Sequence, residues 1–453
     1  MTHLFFETAL LPEGWIENVC VEVDDTGWIS AVKSGSDGAG VDFRGVIGVP
    51  GMPNCHSHSF QGAMAGLTES PGSGRDGFLN WRQAMYGLTE RLTPDDLTAI
   101  AAQFYVEMLE AGFTAVAEFH YLHHAADGLP YDDPGTMSSA IVEAAVETGI
   151  GLTLLPVFYA CGGFGGATIE ESQRRFYTTP ESYLRLLQRV REIVENIPDY
   201  AVGVAPHSLR AVTPDLLTEV LAIAGTDRVH IHVAEQIKEV DECLIWCGAR
   251  PVEWLLDNTS VDGRWCLIHA THMTPAENRR LAASGAVVGL CPITEANLGD
   301  GIFAAVDFVG NGGRIAIGTD SNIRVDVAEE LRLLEYSQRL RDRTRNCLAG
   351  TVGSTGRALF EQALDGGAIA SGRRIGRLAP GYRADIVSLD SNHSGLYARS
   401  GDAWLDSWIF GADSRAVSDV WVGGQNVVAG GRHSTKETIA RRYREVLSRL
   451  MAS

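Results

Sequence analysis

No stretch of this sequence holds the roughly eighteen uninterrupted apolar residues that a membrane-spanning helix needs, and its start, MTHLFFETALLPEGW, lacks the basic segment and long apolar core of a secretory signal. A cytoplasmic protein is expected. Positive charge is scarce: 37 Lys and Arg stand against 57 Asp and Glu, a formal net charge of -20, which argues against nucleic acid or an anionic membrane surface as partner. An anionic small molecule would bind only where local arginines overcome that field. CxxC pairs are absent too. The eight cysteines (Cys20, Cys55, Cys161, Cys243, Cys247, Cys266, Cys291 and Cys347) are scattered, which predicts reduced, buried thiols in place of a disulfide framework. Internal repeats, low-complexity tracts and long charge blocks are missing as well.

What is present is a recurring pattern of short apolar runs between helical segments. There are eight: GVIGVP, FTAVAEFHY, GLTLLPVFY, AVGVAPHS, VHIHVAE, WCLIHATH, GAVVGLCP and RIAIGTDS. Near-continuous apolar strands alternating with amphipathic helices predict a parallel sheet covered on both faces, and eight such units predict an α/β (β/α)₈ TIM barrel. Segments such as TPDDLTAIAAQFYVEMLEAG and TPESYLRLLQRVREIVENI supply the cover, each opened by Thr-Pro with acids in the first turn. At 453 residues the chain exceeds what one simple core needs, so a second domain is expected. WIENVCVEVDDTGWISAVKSG near the start, and ADIVSLD with AVSDVWVGGQNVVAGGR near the end, read as short strands around Gly turns. The expected division is a small β-sandwich from residues 1–48 and 372–453 and a barrel over 49–371. A terminal amphipathic helix is expected to open on a capping box of Ser434 and Glu437.

In a (β/α)₈ barrel, chemistry sits where strands end. His56 and His58 follow the first run, Tyr121 the second, His207 the fourth, His232 and Glu235 the fifth, His269 the sixth and Asp320 the eighth. Residues two apart on a strand share a face, so His56 and His58 project into one space. With His232 and Asp320 they form a borderline N/O ligand set from the first, fifth and eighth strands, suited to a catalytic divalent metal, zinc before iron or manganese. Two-metal sites of similar architecture use a lysine at the end of the fourth strand, where this chain has His207, so one ion is expected. Glu235, three residues past His232, is placed for general acid/base work. Asp320 is expected to hold the metal and accept a proton from the attacking water, and His269 to hold that water or stabilise developing charge. His230 and His272 are read as structural.

The set HSH, HVAEQ, LIHATH and GTDSN, with the terminal GRLAPGYRADIV, resembles the amidohydrolase superfamily, and within it the deaminases that use one metal ion. The stretches PGMPNCHSHSFQGAMAG, HIHVAEQIKEVDECLIWCGARPVEWLLDN and CPITEANLGDGIF resemble the formimidoylglutamate deiminase family. That resemblance implies hydrolysis of the formimino group of N-formimino-L-glutamate to N-formyl-L-glutamate and ammonia, in histidine degradation, by a homodimer. It also implies substrate binding by Gln61, Arg82, Tyr121, His207 and Arg210, the two arginines pairing with the two carboxylates. A deaminase of a guanine-like heterocycle is the rival reading; a non-catalytic scaffold barrel is a remote one. Two long connections, GLTESPGSGRDGFLNWRQ and ACGGFGGATIEESQRRFYTTP, are candidate lids over the barrel mouth.

Overall fold

The computed structural model describes residues 1–69, 77–351 and 353–452. Its central element is a ring of parallel strands in two halves. In the first half, Met52–Ser57, Phe113–His120 and Gly151–Phe158 pair in that order, and two short pieces, Ala201–Val202 and Ala205–Pro206, both pair with Gly151–Phe158. Val229–Val233, Trp265–His269, Val287–Leu290 and Arg314–Ile317 form the second. Parallel bridges Val204–Val229 and Ser208–His232 join the halves on one side, and Ser57–Asp320 joins them on the other. Helices lie between successive strands, as a parallel connection requires.

The Thr-Pro starts behave as expected. Thr93 caps the helix Pro94–Glu110 by accepting from the Asp96 amide, Asp96 reciprocates, and Pro94 fills the first turn. Thr179 does the same for Pro180–Val194.

The run GVIGVP is not a barrel strand. Phe43–Pro50 belongs instead to an eight-stranded sheet built from both chain ends, where it pairs parallel with Thr2–Leu11 and antiparallel with Ile386–Leu389, the latter register reaching Pro50. The first barrel strand is the following segment, Met52–Ser57. On this pairing we propose the division read from the sequence with its first boundary moved to Pro50. The sheet folds over its own core of residues such as Leu4, Phe6, Val19, Ile386 and Trp421, where the Phe43 and Trp421 rings meet edge to face at 4.4 Å between centroids.

The terminal helix, Lys436–Met451, starts without the expected box: no side chain caps it, Thr435 holds the cap position, and Glu437 pairs with Arg432 at 2.6 Å. Packing against the barrel fixes this helix instead. Lys436 pairs with Glu110 at 2.6 Å, Arg449 with Asp96, and Tyr443 meets Phe104. All eight cysteines are free; six are buried, whereas Cys247 is exposed and Cys347 half-buried.

Candidate metal centre and active site

The first and eighth strands approach closely because residue 318 is glycine. A Cβ there would lie 2.8 Å from the His56 carbonyl. The amides of Thr319 and Asp320 both reach that carbonyl at 3.0 Å, and the His58 amide returns a bond to the Asp320 carbonyl at 2.9 Å. His56 sits inside its strand and His58 one residue past the end, so both rings enter the barrel mouth. Beneath them Asn54 donates to Thr319 at 2.7 Å and Asn322 to Ser57 at 3.1 Å, which fixes the turn carrying Asp320.

Several non-glycine residues at these strand ends adopt left-handed backbone: Ala234 (φ 51°), His269 (φ 68°), Ala270 (φ 47°) and Asp320 (φ 45°). Such conformations cost energy and collect where function fixes side-chain direction. Here they turn His269 and Asp320 into the barrel and set Glu235 beside them.

The Nε2 atoms of His56, His58 and His232 form a triangle with sides of 3.1, 3.3 and 3.1 Å. Asp320 Oδ1 lies 3.4 Å from both His56 and His58. His58 Nδ1 faces the Phe119 carbonyl at 2.9 Å and His232 Nδ1 the His207 carbonyl at 3.0 Å. A carbonyl only accepts, so both rings carry their proton on Nδ1 and present bare Nε2 lone pairs to one point. Burial lowers the His58 and His232 pKa values and pushes His56 down to about 3, so all three rings are neutral at pH 7. Lone pairs crowded in this way repel unless a cation lies among them. The spacing matches the roughly 3.3 Å edge of a tetrahedron with metal-nitrogen bonds of about 2.0–2.1 Å. The residues present therefore fit a divalent ion. A second group of potential ligands, His269, Cys291 and Asp320, shares the carboxylate. It suits a metal less well, because burial holds the Cys291 thiol protonated and His269 Nδ1 already meets Glu295 at 3.2 Å.

Glu235 is buried, and desolvation raises its pKa against the pull of His269 and Arg210. Its Oε1 lies 4.0 Å from His269 Nε2, which in turn is 3.8 Å from Asp320 Oδ2. Burial alone would lower the His269 pKa, but Glu235, Glu295 and Asp320 together raise it to about 10. Burial likewise opposes ionisation of Asp320, yet the hydrogen bond to His56 and the surrounding rings hold it below the usual carboxylate range. Neighbouring acid and base groups with divergent pKa values are an arrangement suited to proton transfer.

One cavity brings together His58, His232, Glu235, His269 and Asp320 with Gln61, Arg82, Tyr121, His207 and Arg210. Gln61 donates to Tyr121 at 2.6 Å, while its own Oε1 is buried without a partner. Arg82 lies 3.9 Å from Glu170 and over the Tyr86 ring. Arg210 Nε is buried with no hydrogen-bond partner among the described residues. His207 is neutral, its pKa lowered by burial and by Arg210. His230 and His272 stay structural, their rings facing the Ala370 carbonyl at 2.9 Å and the Asp300 carbonyl at 2.8 Å.

Sequence reasoning missed several residues here. Tyr159 lines the cavity beside Gln173, which donates to its hydroxyl at 2.9 Å. Extending the strand-end rule to GLTLLPVFY would have found it. Glu295 and Glu239 act behind the cavity, Glu239 accepting the Ala234 amide at 3.1 Å and the Glu235 amide at 3.2 Å. Of the two candidate lids, residues 70–76 of the first lie outside the described residues. The second supplies Gln173 and Phe176 to the cavity wall, and its Phe164 stacks on Trp246 at 5.5 Å. Its backbone is expected to become at least severalfold slower to cleave by protease when a substrate analogue binds; an unchanged digestion rate would remove the lid role. Gly318→Ala is expected to weaken metal binding by roughly tenfold or more through His56, measured by competition with a chelator.

A (β/α)₈ barrel with a buried His₃Asp cluster at one rim defines a class of metal-dependent hydrolases, and the amidohydrolase family model matches residues 47–427. The chain belongs to the amidohydrolase family. Within it, the chain is 51% identical to the formimidoylglutamate deiminase of Pseudomonas aeruginosa over 453 residues, all of both proteins. The 8-oxoguanine deaminase of the same organism is 29% identical over 352 residues, 75% of this chain and 73% of that one. A crystal structure of an amidohydrolase from Brucella melitensis superposes with a TM-score of 0.95 at 49% identity, covering 100% of each chain. A zinc-bound adenosine deaminase from Xanthomonas campestris shares the fold at TM-score 0.82 and 21% identity, covering 100% of this chain and 99% of that one.

Proposed function

We propose that this chain hydrolyses N-formimino-L-glutamate to N-formyl-L-glutamate and ammonia. The observation that carries the reading is the pairing of a His₃Asp cluster with two guanidinium groups, Arg82 and Arg210, across one cavity. A dicarboxylate needs two cationic clamps; a purine-like ring needs aromatic walls and amide readers. The full-length 51% identity to a formimidoylglutamate deiminase supports the same choice.

We assign the metal to His56, His58, His232 and Asp320, one ion per chain, with zinc the best match to a nitrogen-rich set without thiolate. When bound, the ion supplies Lewis acidity and brings the pKa of a coordinated water from about 15.7 towards about 7. The chain's own groups do the rest. Glu235, whose pKa burial raises, takes a proton from the attacking water and hands it to the departing nitrogen. Asp320 accepts the second proton of that water as the tetrahedral adduct collapses and returns it to the same nitrogen, which leaves as ammonia, and His269, held by Glu295, faces the reacting carbon with a donor nitrogen. Gln61, Tyr121 and His207 orient the amidine and one carboxylate, and Arg82 and Arg210 fix the carboxylate pair.

The acidic composition and the nature of the substrate support a cytoplasmic enzyme of histidine degradation with no nucleic-acid or membrane partner; no helix among the described residues is long and apolar enough to cross a membrane. A homodimer is proposed from the family resemblance alone. Product analysis by NMR tests the reaction. N-formyl-L-glutamate with one equivalent of ammonia is expected; L-glutamate with formamide would place bond cleavage on the other side of the amidine carbon and overturn it.

A further inference from the structure

At the opposite end of the barrel from the active site lies a cavity of about 570 Å³ lined by Arg228, Arg314, Arg373, Arg374 and Arg377. Arg314 opens the eighth strand, and Asp320 lies six residues on, about 20 Å away along an extended chain. Five guanidiniums around one cavity are unexpected in a chain of net charge -20. Ion pairing absorbs only part of that charge. Arg377 pairs with Asp365 at 3.0 Å, and Arg373 with Asp199, which Arg383 shares at 3.5 Å. Among the described residues no carboxylate pairs with Arg228, Arg314 or Arg374. These three are nonetheless held in place: Arg228 donates to the Gly263 carbonyl at 2.9 Å, Arg314 to the Gly285 carbonyl at 3.2 Å, and Arg374 lies over the Tyr382 ring at 5.5 Å. Arg373 is 92% buried by its 8% exposure, lines the cavity, and leaves Nη1 without a partner.

Guanidiniums oriented by neutral groups and left unneutralised form a preorganised receptor for an oxyanion, because their forks match phosphate and carboxylate oxygens. Apolar wall from Ile315 and Ile375, with the Tyr382 ring, borders the charges. We propose that this cavity binds a small soluble phosphate monoester, its phosphate among Arg228, Arg314 and Arg374 and its organic part against Ile315 and Tyr382.

Calorimetric titration of the metal-loaded full-length enzyme with glycerol 3-phosphate and with inorganic phosphate, at constant ionic strength, tests this. One saturable site per chain is expected. Binding should weaken at least tenfold in the double variant Arg314→Ala/Arg374→Ala, whose side chains are exposed, with amidine hydrolysis unchanged. It should persist in Arg82→Met/Arg210→Met. The reverse pattern would put the anion in the catalytic cavity and overturn the proposal. So would equal heats for chloride and phosphate, or binding confined to phosphatidic acid vesicles, which would make the ligand a membrane headgroup.

Discussion

Glu235→Gln is expected to lower kcat by on the order of 10³-fold while the protein keeps its full complement of metal. Proton transfer by a positioned side chain contributes roughly 10²- to 10⁴-fold, and in the proposed mechanism one carboxyl serves both the attacking water and the leaving nitrogen. The amide is isosteric, so the Glu235 backbone bond to Glu239 at 3.2 Å and the neighbouring His232 stay as they are. It can neither take up nor give the proton. Single-turnover kinetics together with metal analysis by mass spectrometry check the point. Retained turnover would move the proton traffic to Asp320 and His269; lost metal would show that Glu235 belongs to the ligand sphere.

Arg210→Met is expected to reduce kcat/KM for N-formimino-L-glutamate by on the order of 10²- to 10³-fold. Hydrogen bonds to charged groups contribute about 1.5–3 kcal/mol each, and a fork makes two. Of the two proposed clamps Arg210 is expected to be the stronger, because its Nε is buried and has no partner among the described residues. Arg82 is 31% exposed and already lies 3.9 Å from Glu170, so solvent and a competing carboxylate reduce its value. Arg82→Met is expected to cost about tenfold. Steady-state kinetics on both variants, with guanine run in parallel, separates the two substrate classes: unchanged kinetics in both variants would favour a ring substrate.

Much of the site was legible because a strand has a fixed period and a barrel a fixed rim. His56, His58, His232, Glu235, His269 and Asp320 fall at strand ends, and the structure brings all but His56 to one cavity, with His56 beside them in the ligand cluster. Arg82 could be placed only by resemblance, since a long connection carries no period from which to project a side chain. GVIGVP was misassigned for a related reason: an apolar run of six residues shows that a strand is buried, and not which sheet buries it. Ser434 and Glu437 have the spacing of a capping box, but Arg432 competes successfully for the glutamate. Tertiary contacts decide such cases. Glu295 and Glu239 were invisible because their partners, His269 Nδ1 and the Ala234 and Glu235 amides, become neighbours only after the barrel ends turn through left-handed backbone.

Ammonia release from N-formimino-L-glutamate by purified protein of measured metal content, with 8-oxoguanine and guanine as parallel substrates, tests the proposed function most directly. Release from the formimino compound alone is predicted, abolished by a chelator and restored by about one equivalent of zinc per chain. Release from either purine in its place, or turnover of the formimino compound that survives complete removal of metal, would contradict it.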